Sequence, residues 1–188
     1  MKKLIIGLGN PGTQYTNTRH NVGFSAIHTI AQYYYRNNFY NKYDGKITQI
    51  KILDHEIIFF MPMSFMNNSG FPISQVINFY KLSPQNIIVI YDDIDLPIKK
   101  IKIKTGGHHA GHNGLKSINQ YITNQYIKIK IGIGRPSTNH TVTQHVLDVF
   151  RSDELTIMKR SYWYLAKYLK LILNNKGHEF LNLFYSKK

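Results

Sequence analysis

Residues 86–91, Asn-Ile-Ile-Val-Ile-Tyr, run apolar without alternation and break directly into Asp92-Asp93-Ile94-Asp95. A strand that is apolar on both faces is covered on both faces, which puts it in the middle of a sheet flanked by helices. A second run of strand length, residues 3–8, ends in the turn Gly9-Asn10-Pro11-Gly12. The other patterns fall around these two. Residues 21–35 carry Val22, Ala26, Ile27, Ile30, Ala31 and Tyr34 at helical spacing. Residues 46–53 and 56–61 read as a hairpin turning at Asp54-His55, and Pro72 sits in the first turn of a helix with Ile73, Val76, Ile77 and Tyr80 inward. Residues 98–104 and 127–133 alternate as strands, with a glycine-rich loop at 106–114 and a helix at 115–122 between them. Residues 137–143 read as a loop and a candidate flap. Ser152 is expected to cap one long helix whose buried stripe is Leu155, Met158, Tyr162, Leu165, Leu169 and Ile172, and Gly177 is expected to end it. Strands alternating with helices, with no repeat or linker, predict a single α/β domain over residues 1–188: a mixed, mainly parallel twisted sheet with helices on both faces.

Composition narrows the class. There is no cysteine, which removes disulfides, zinc–thiolate sites and a cysteine nucleophile together and fits a cytoplasmic location. No apolar stretch is long enough to cross a bilayer. Met1-Lys2-Lys3 is like the charged end of a secretory signal, but Asn10-Pro11-Gly12 cuts the apolar run short. Lys and Arg number 24 against 10 Asp and Glu, a net charge of +14 that favours a polyanionic partner. A/T-rich coding gives the same excess of Lys, Ile, Asn and Tyr, so where the charge sits carries more weight than its sum. Residues 96–147 hold eight Lys or Arg and no carboxylate. Lys100, Lys102 and Lys104 recur with period two, as do Lys128 and Lys130, which reads as a solvated sheet face. Lys104 is the exception, because it enters the glycine loop at the rim.

In a sheet of this kind ligands bind beyond the carboxyl ends of the strands. Asn10, the Met66-Asn67 loop and the Asp92 cluster each follow a strand, and His20 reaches the same rim from the start of the first helix. A neutral imidazole is a general base near pH 7 if a carboxylate fixes its other nitrogen, and Asp92 or Asp93 can serve. With no cysteine and no Gly-x-Ser-x-Gly elbow, water is the nucleophile. The carboxamides of Asn10, Asn67 and Asn113 can hold a peptide group or a developing oxyanion, although Asn10 also suits a turn and Asn113 a helix cap. Gly7-Leu8-Gly9-Asn10-Pro11-Gly12 matches a dinucleotide loop literally, but the helix does not open at its third glycine. Asp92, Asp93 and Asp95 with His109 and His112 could bind a divalent cation in a metal-dependent nuclease, but His109-x-x-His112 lacks the helical spacing of a ligand pair.

The motifs Gly7-Leu8-Gly9-Asn10-Pro11-Gly12, Tyr15, Thr18-Arg19-His20-Asn21-Val22-Gly23, Phe65-Met66-Asn67, Asp92-Asp93-x-Asp95-Leu96-Pro97, Gly111-His112-Asn113-Gly114-Leu115 and Ile131-Gly132-Ile133-Gly134-Arg135-Pro136 resemble bacterial-type peptidyl-tRNA hydrolase in order and spacing over nearly the whole chain. The resemblance implies a monomeric esterase that needs no cofactor or metal and cuts the ester between a peptide and the 3′ ribose of tRNA. It implies no membrane or protein partner. It makes His20 the catalytic base and Asp92 its orienting carboxylate, and Asn10, Tyr15, Met66, Asn67 and Asn113 substrate-binding positions. Lys104 and Lys130 fall on positions associated with the tRNA 5′ phosphate. Lys130 departs from the expected arginine, which keeps the charge and loses the bidentate fork. His108-His109-Ala110 is a further departure, and Asn68 beside Asn67 leaves that assignment open by one residue. The rival from another class is an RNA-binding module whose rim is catalytically idle.

Overall fold

The computed structural model describes residues 1–136 and 141–186. In chain order these form β1 (Lys2–Gly7), α1 (Val22–Tyr33), β2 (Tyr40–Lys42), β3 (Gly45–Ile52), β4 (His55–Pro62), α2 (Gly70–Tyr80), β5 (Ile87–Asp93), β6 (Ile101–Thr105), α3 (Asn113–Ile118), β7 (Ile127–Gly132), α4 (Val142–Leu147), α5 (Ser152–Lys167), α6 (Leu169–Leu173) and α7 (Gly177–Ser186). One seven-stranded sheet runs β2-β3-β4-β1-β5-β7-β6. Its four central strands are parallel, and both margins are antiparallel. This is the expected mixed sheet, with β1 and β5 side by side at its centre.

Alternation along β1 and β5 divides the core. Ile5, Ile88 and Ile90 face a layer built from α1, α5, α6 and α7, while Leu4, Ile6, Val89 and Tyr91 face α2 and α3. The entry of α1 depends on two glycines. A Cβ on Gly7 would lie 2.3 Å from the Gly23 carbonyl oxygen, and one on Gly23 would lie 2.3 Å from the Leu8 nitrogen. With neither present, Phe24 N–H donates to the Leu8 carbonyl and Leu8 N–H to that of Ile90, so the start of α1 is fixed at the carboxyl ends of β1 and β5.

Four expectations need correction. Residues 137–140 of the candidate flap lie outside the described residues, but Thr141 caps α4, and Val142 and Thr143 are its first turn and not loop. Thr141 Oγ1 accepts from Gln144 N–H and Gln144 Oε1 accepts from Thr141 N–H, a capping box spelled by Thr-x-x-Gln. The long helix is interrupted at Tyr168, and Gly177 begins α7 where it was expected to end a helix; the stop comes earlier, with Asn175 in the left-handed region after α6. Ser152 does not cap α5: the Glu154 carboxylate reaches back to accept from Arg151 N–H at 2.9 Å. The lysine face is not uniformly solvated, since Lys128 is 1% exposed.

Candidate active site

His20 lies in a single 3-10 turn, Arg19–Asn21, directly before α1, and Asp92 ends the buried part of β5. The strand's alternation decides between the two acids. Asp92 falls on the side of Ile88 and Ile90, towards α1, while Asp93 falls with Tyr91 on the other side and pairs with Lys130 at 2.7 Å. His20 Nδ1 is 2.9 Å from both Asp92 carboxylate oxygens. His112 brings Nε2 to Asp92 Oδ1 at 3.0 Å, and the two imidazole centroids are 5.1 Å apart.

The protons follow from the partners. His112 Nδ1 accepts from Leu115 N–H, capping α3, so its proton is on Nε2 and is donated to Asp92. His20 likewise donates from Nδ1, and no hydrogen bond among the described residues engages its Nε2, which leaves that nitrogen's lone pair for an incoming proton. Burial depresses the His20 pKa, but the Asp92 charge and hydrogen bond outweigh it and hold the imidazole above its ordinary value. Burial would raise the Asp92 carboxyl; the two imidazoles and their hydrogen bonds instead hold it well below the usual carboxylate range.

A cleft of about 740 Å³ opens over this cluster, lined by Asn10, His20, Met66, Asn67, Asn113 and Lys130 among others, with α4 as one wall. Asn21 fixes the Asn10 main chain, accepting from Asn10 N–H and donating to its carbonyl. Asn10 Oδ1 accepts from Met66 N–H at 2.8 Å, which leaves the Asn10 Nδ2 donors for the cleft. Asn67 lines the cleft and Asn68 does not, which separates the two. Asn113 is the first residue of α3, and the cap is His112. Tyr15 is outside the lining and packs edge-on against Phe65, which is within it. Lys104 also stands apart from the cleft, its ammonium against Gly107.

The glycine-rich segment Gly7 to Gly12 leads into a single turn well before α1, so its match to a dinucleotide loop has no helix terminus behind it. The candidate metal set is not assembled: Asp93 is held by Lys130, Asp95 by Arg135, and His109 Nδ1 accepts from Gly111 N–H. His20, Asp92 and His112 offer ligand atoms within 4.8 Å of one another, and in the structure these atoms satisfy each other by hydrogen bonds.

Two residues lay beyond the sequence argument for the base. His112 enters the sequence reading as a metal candidate and as part of the Gly111-His112-Asn113-Gly114-Leu115 motif, and its place on Asp92 depends on a fold contact across 20 positions. Arg19 enters the sequence reading only as part of the motif around His20, with no role of its own. It is buried, paired with Glu154 at 2.8 Å and donating to the Asp148 and Val149 carbonyls, and so ties the His20 turn to the α4–α5 junction.

Comparison with known proteins finds likeness over nearly the whole chain. The family model described as peptidyl-tRNA hydrolase matches residues 4–188. A peptidyl-tRNA hydrolase of Rickettsia prowazekii is 46% identical over 180 residues, 95% of this chain and 97% of that protein. One of Wolbachia pipientis is 44% identical over 182 residues, covering 96% and 98%. The crystal structure of the peptidyl-tRNA hydrolase from Acinetobacter baumannii superposes with a TM-score of 0.90 at 33% identity, covering 97% of this chain and 93% of that one.

Proposed function

This chain belongs to the peptidyl-tRNA hydrolase family, and from that premise we propose that His20 activates a water to hydrolyse the ester between a peptide and the 3′ ribose of tRNA. The observation that carries the reading is the contact of His20 Nδ1 with Asp92 at 2.9 Å, beside a cleft lined by carboxamides. His20 Nε2 takes a proton from water as its oxygen attacks the acyl carbon, and Asp92 stabilises the imidazolium that forms. Asn10 Nδ2, with Asn67 and Asn113, supplies donors for the carbonyl oxygen as it gains charge. Collapse breaks the acyl–oxygen bond, and the imidazolium returns its proton to the departing 3′ oxygen. The products are a free carboxylate and tRNA with its terminal hydroxyl restored.

Met66 forms part of the floor under the peptide, and Tyr15 acts by holding Phe65 at the cleft. Lys104 and Lys130 are the family's candidates for the tRNA phosphate. Lys104 is exposed, whereas Lys130 is already neutralised by Asp93, so Lys104 is the stronger of the two. The reading takes the enzyme as a cytoplasmic monomer with no cofactor. The test is release of tRNA from N-acetyl-aminoacyl-tRNA. The wild type should turn over, and H20A should lose about a thousandfold in kcat while still binding substrate; wild-type turnover by H20A would remove His20 from the mechanism.

A further inference from the structure

Lys128 is 1% exposed, and the mechanism above makes no use of it. The β6–β7 pairing sets Lys104 opposite Lys128 and Lys102 opposite Lys130, so four ammonium-bearing side chains share one face of the sheet. Lys130 has Asp93 as its counter-charge. No described hydrogen bond or ion pair joins Lys128 to a carboxylate. Its Nζ donates to the Gly107 carbonyl at 2.6 Å and lies 4.9 Å from the Tyr126 ring centroid. The charged and titratable groups around it are Lys104 from β6, Lys130 on its own strand and Tyr126 just before it; Asn124 Nδ2 shares the Gly107 carbonyl at 3.5 Å. Burial, then the charges of Lys130 and Lys104, push the Lys128 pKa down to about 8.

Placing a cation there costs stability. What it holds is the glycine loop. Gly107, in the left-handed region at φ 85°, also has the Lys104 ammonium against it, and a Cβ at Gly107 would lie 2.8 Å from Lys104 Nζ. The loop continues to His109, whose carbonyl accepts from His112 N–H, and His112 ends on Asp92. A line of contacts thus runs from β7 through Gly107 to the carboxylate beside His20.

We propose that Lys128 is a positioning residue, anchoring the glycine loop at Gly107 so that Lys104 meets the tRNA phosphate and His112 meets Asp92. The phosphate endpoint rests on the peptidyl-tRNA reading; the contact of His112 with Asp92 and the anchor itself do not.

In K128M the KM for N-acetyl-aminoacyl-tRNA should rise about tenfold, kcat should fall less, and amides of residues 106–112 should exchange faster with deuterium. The melting temperature should match or exceed that of the wild type, because an unpaired buried charge has been removed. A merely structural lysine gives the reverse: lower melting temperature, with activity lost in proportion. In the wild type, KM should climb as the pH passes about 8, where the charge that strengthens the Gly107 bond is lost. K128R does not titrate in that range and should restore part of the affinity with a flat profile. A lysine in the unfolded chain keeps its proton to about pH 10.4. Between the two values the unfolded state therefore binds more protons, and wild-type stability should rise with pH while KM worsens. K128M with wild-type kinetics and loop exchange, or with activity loss that tracks its melting temperature, overturns the proposal. If K128M does not fold, a wild-type KM that is flat across that range overturns it. A chain that never releases tRNA fails the functional reading alone, since loop exchange still tests the anchor.

Discussion

Asp92, 3% exposed near the end of β5, has two imidazoles on its oxygens; on the next two strands, β7 and β6, four lysines share one sheet face, and Asp93 is bonded to just one of them, Lys130. Both corners place charge in partly buried surroundings, where a lone charge is costly. They meet that cost differently. At Asp92 the chain supplies every partner itself, and the result is a carboxylate held ionised and a base fixed in one tautomer. At the lysines the described residues supply one bonded carboxylate, Asp93 on Lys130, and like charges stand opposite one another across β6 and β7. A site that performs chemistry must be complete before substrate arrives, whereas a site that binds a polyanion is completed by it.

After H20A, the largest expected effect at the complete corner is at Asp92. D92N keeps the shape and removes the charge, and kcat should fall about a hundredfold. The pH–rate profile sharpens the point. On the proposed mechanism activity needs neutral His20, whose pKa Asp92 raises, so the acid limb should lie above the ordinary histidine value. In D92N the raising charge is gone while the burial that lowers the pKa stays, so the limb should move to lower pH. A limb that does not move would mean that another group sets it. H112N comes next, with an expected loss of about tenfold in kcat and little change in KM. Asparagine is itself a good helix cap, so α3 should survive and the lost donor to Asp92 is isolated. If H112N matches the wild type, Asp92 needs only one imidazole.

Much of the complete corner is legible in the sequence. Apolar runs that stop at Asn10 and at Asp92 mark two buried strands ending on one rim, and the Gly-Asn-Pro-Gly turn returns the chain so that His20 precedes α1 there. Choosing Asp92 over Asp93 needs one further fact, that α1 covers the Ile88–Ile90 side, and only tertiary packing supplies it. His112 needs the same kind of fact. At the open corner Lys128 alone departs from the expected solvated face, for a different reason. Period-two lysines give the alternation of a solvated face whether or not a loop folds over it, and Gly107 over Lys128 is invisible until the chain is folded. The short α4 was missed although its Thr141-x-x-Gln144 box is written out, because six residues are too few for a helical period to show.

The smallest effect tests whether the open corner is as unevenly loaded as its pairings indicate. Lys104 faces Lys128, to which no carboxylate among the described residues is bonded, while Lys102 faces Lys130, which Asp93 neutralises. A phosphate therefore gains more at the Lys104 end. Plotting the logarithm of tRNA affinity against that of salt concentration, K104M should lower the slope by about 0.9, the loss of one phosphate contact, and weaken binding only a few-fold at moderate salt. K102M should leave the slope nearly unchanged. D93N, by freeing Lys130, should steepen it, because a cation now spent inside the protein becomes available to RNA. If instead K102M lowers the slope and K104M does not, the phosphate lies at the Lys130 end and the ion pair with Asp93 must open on binding; the two corners would then share a residue, and the contrast between them would hold only for the enzyme without its substrate.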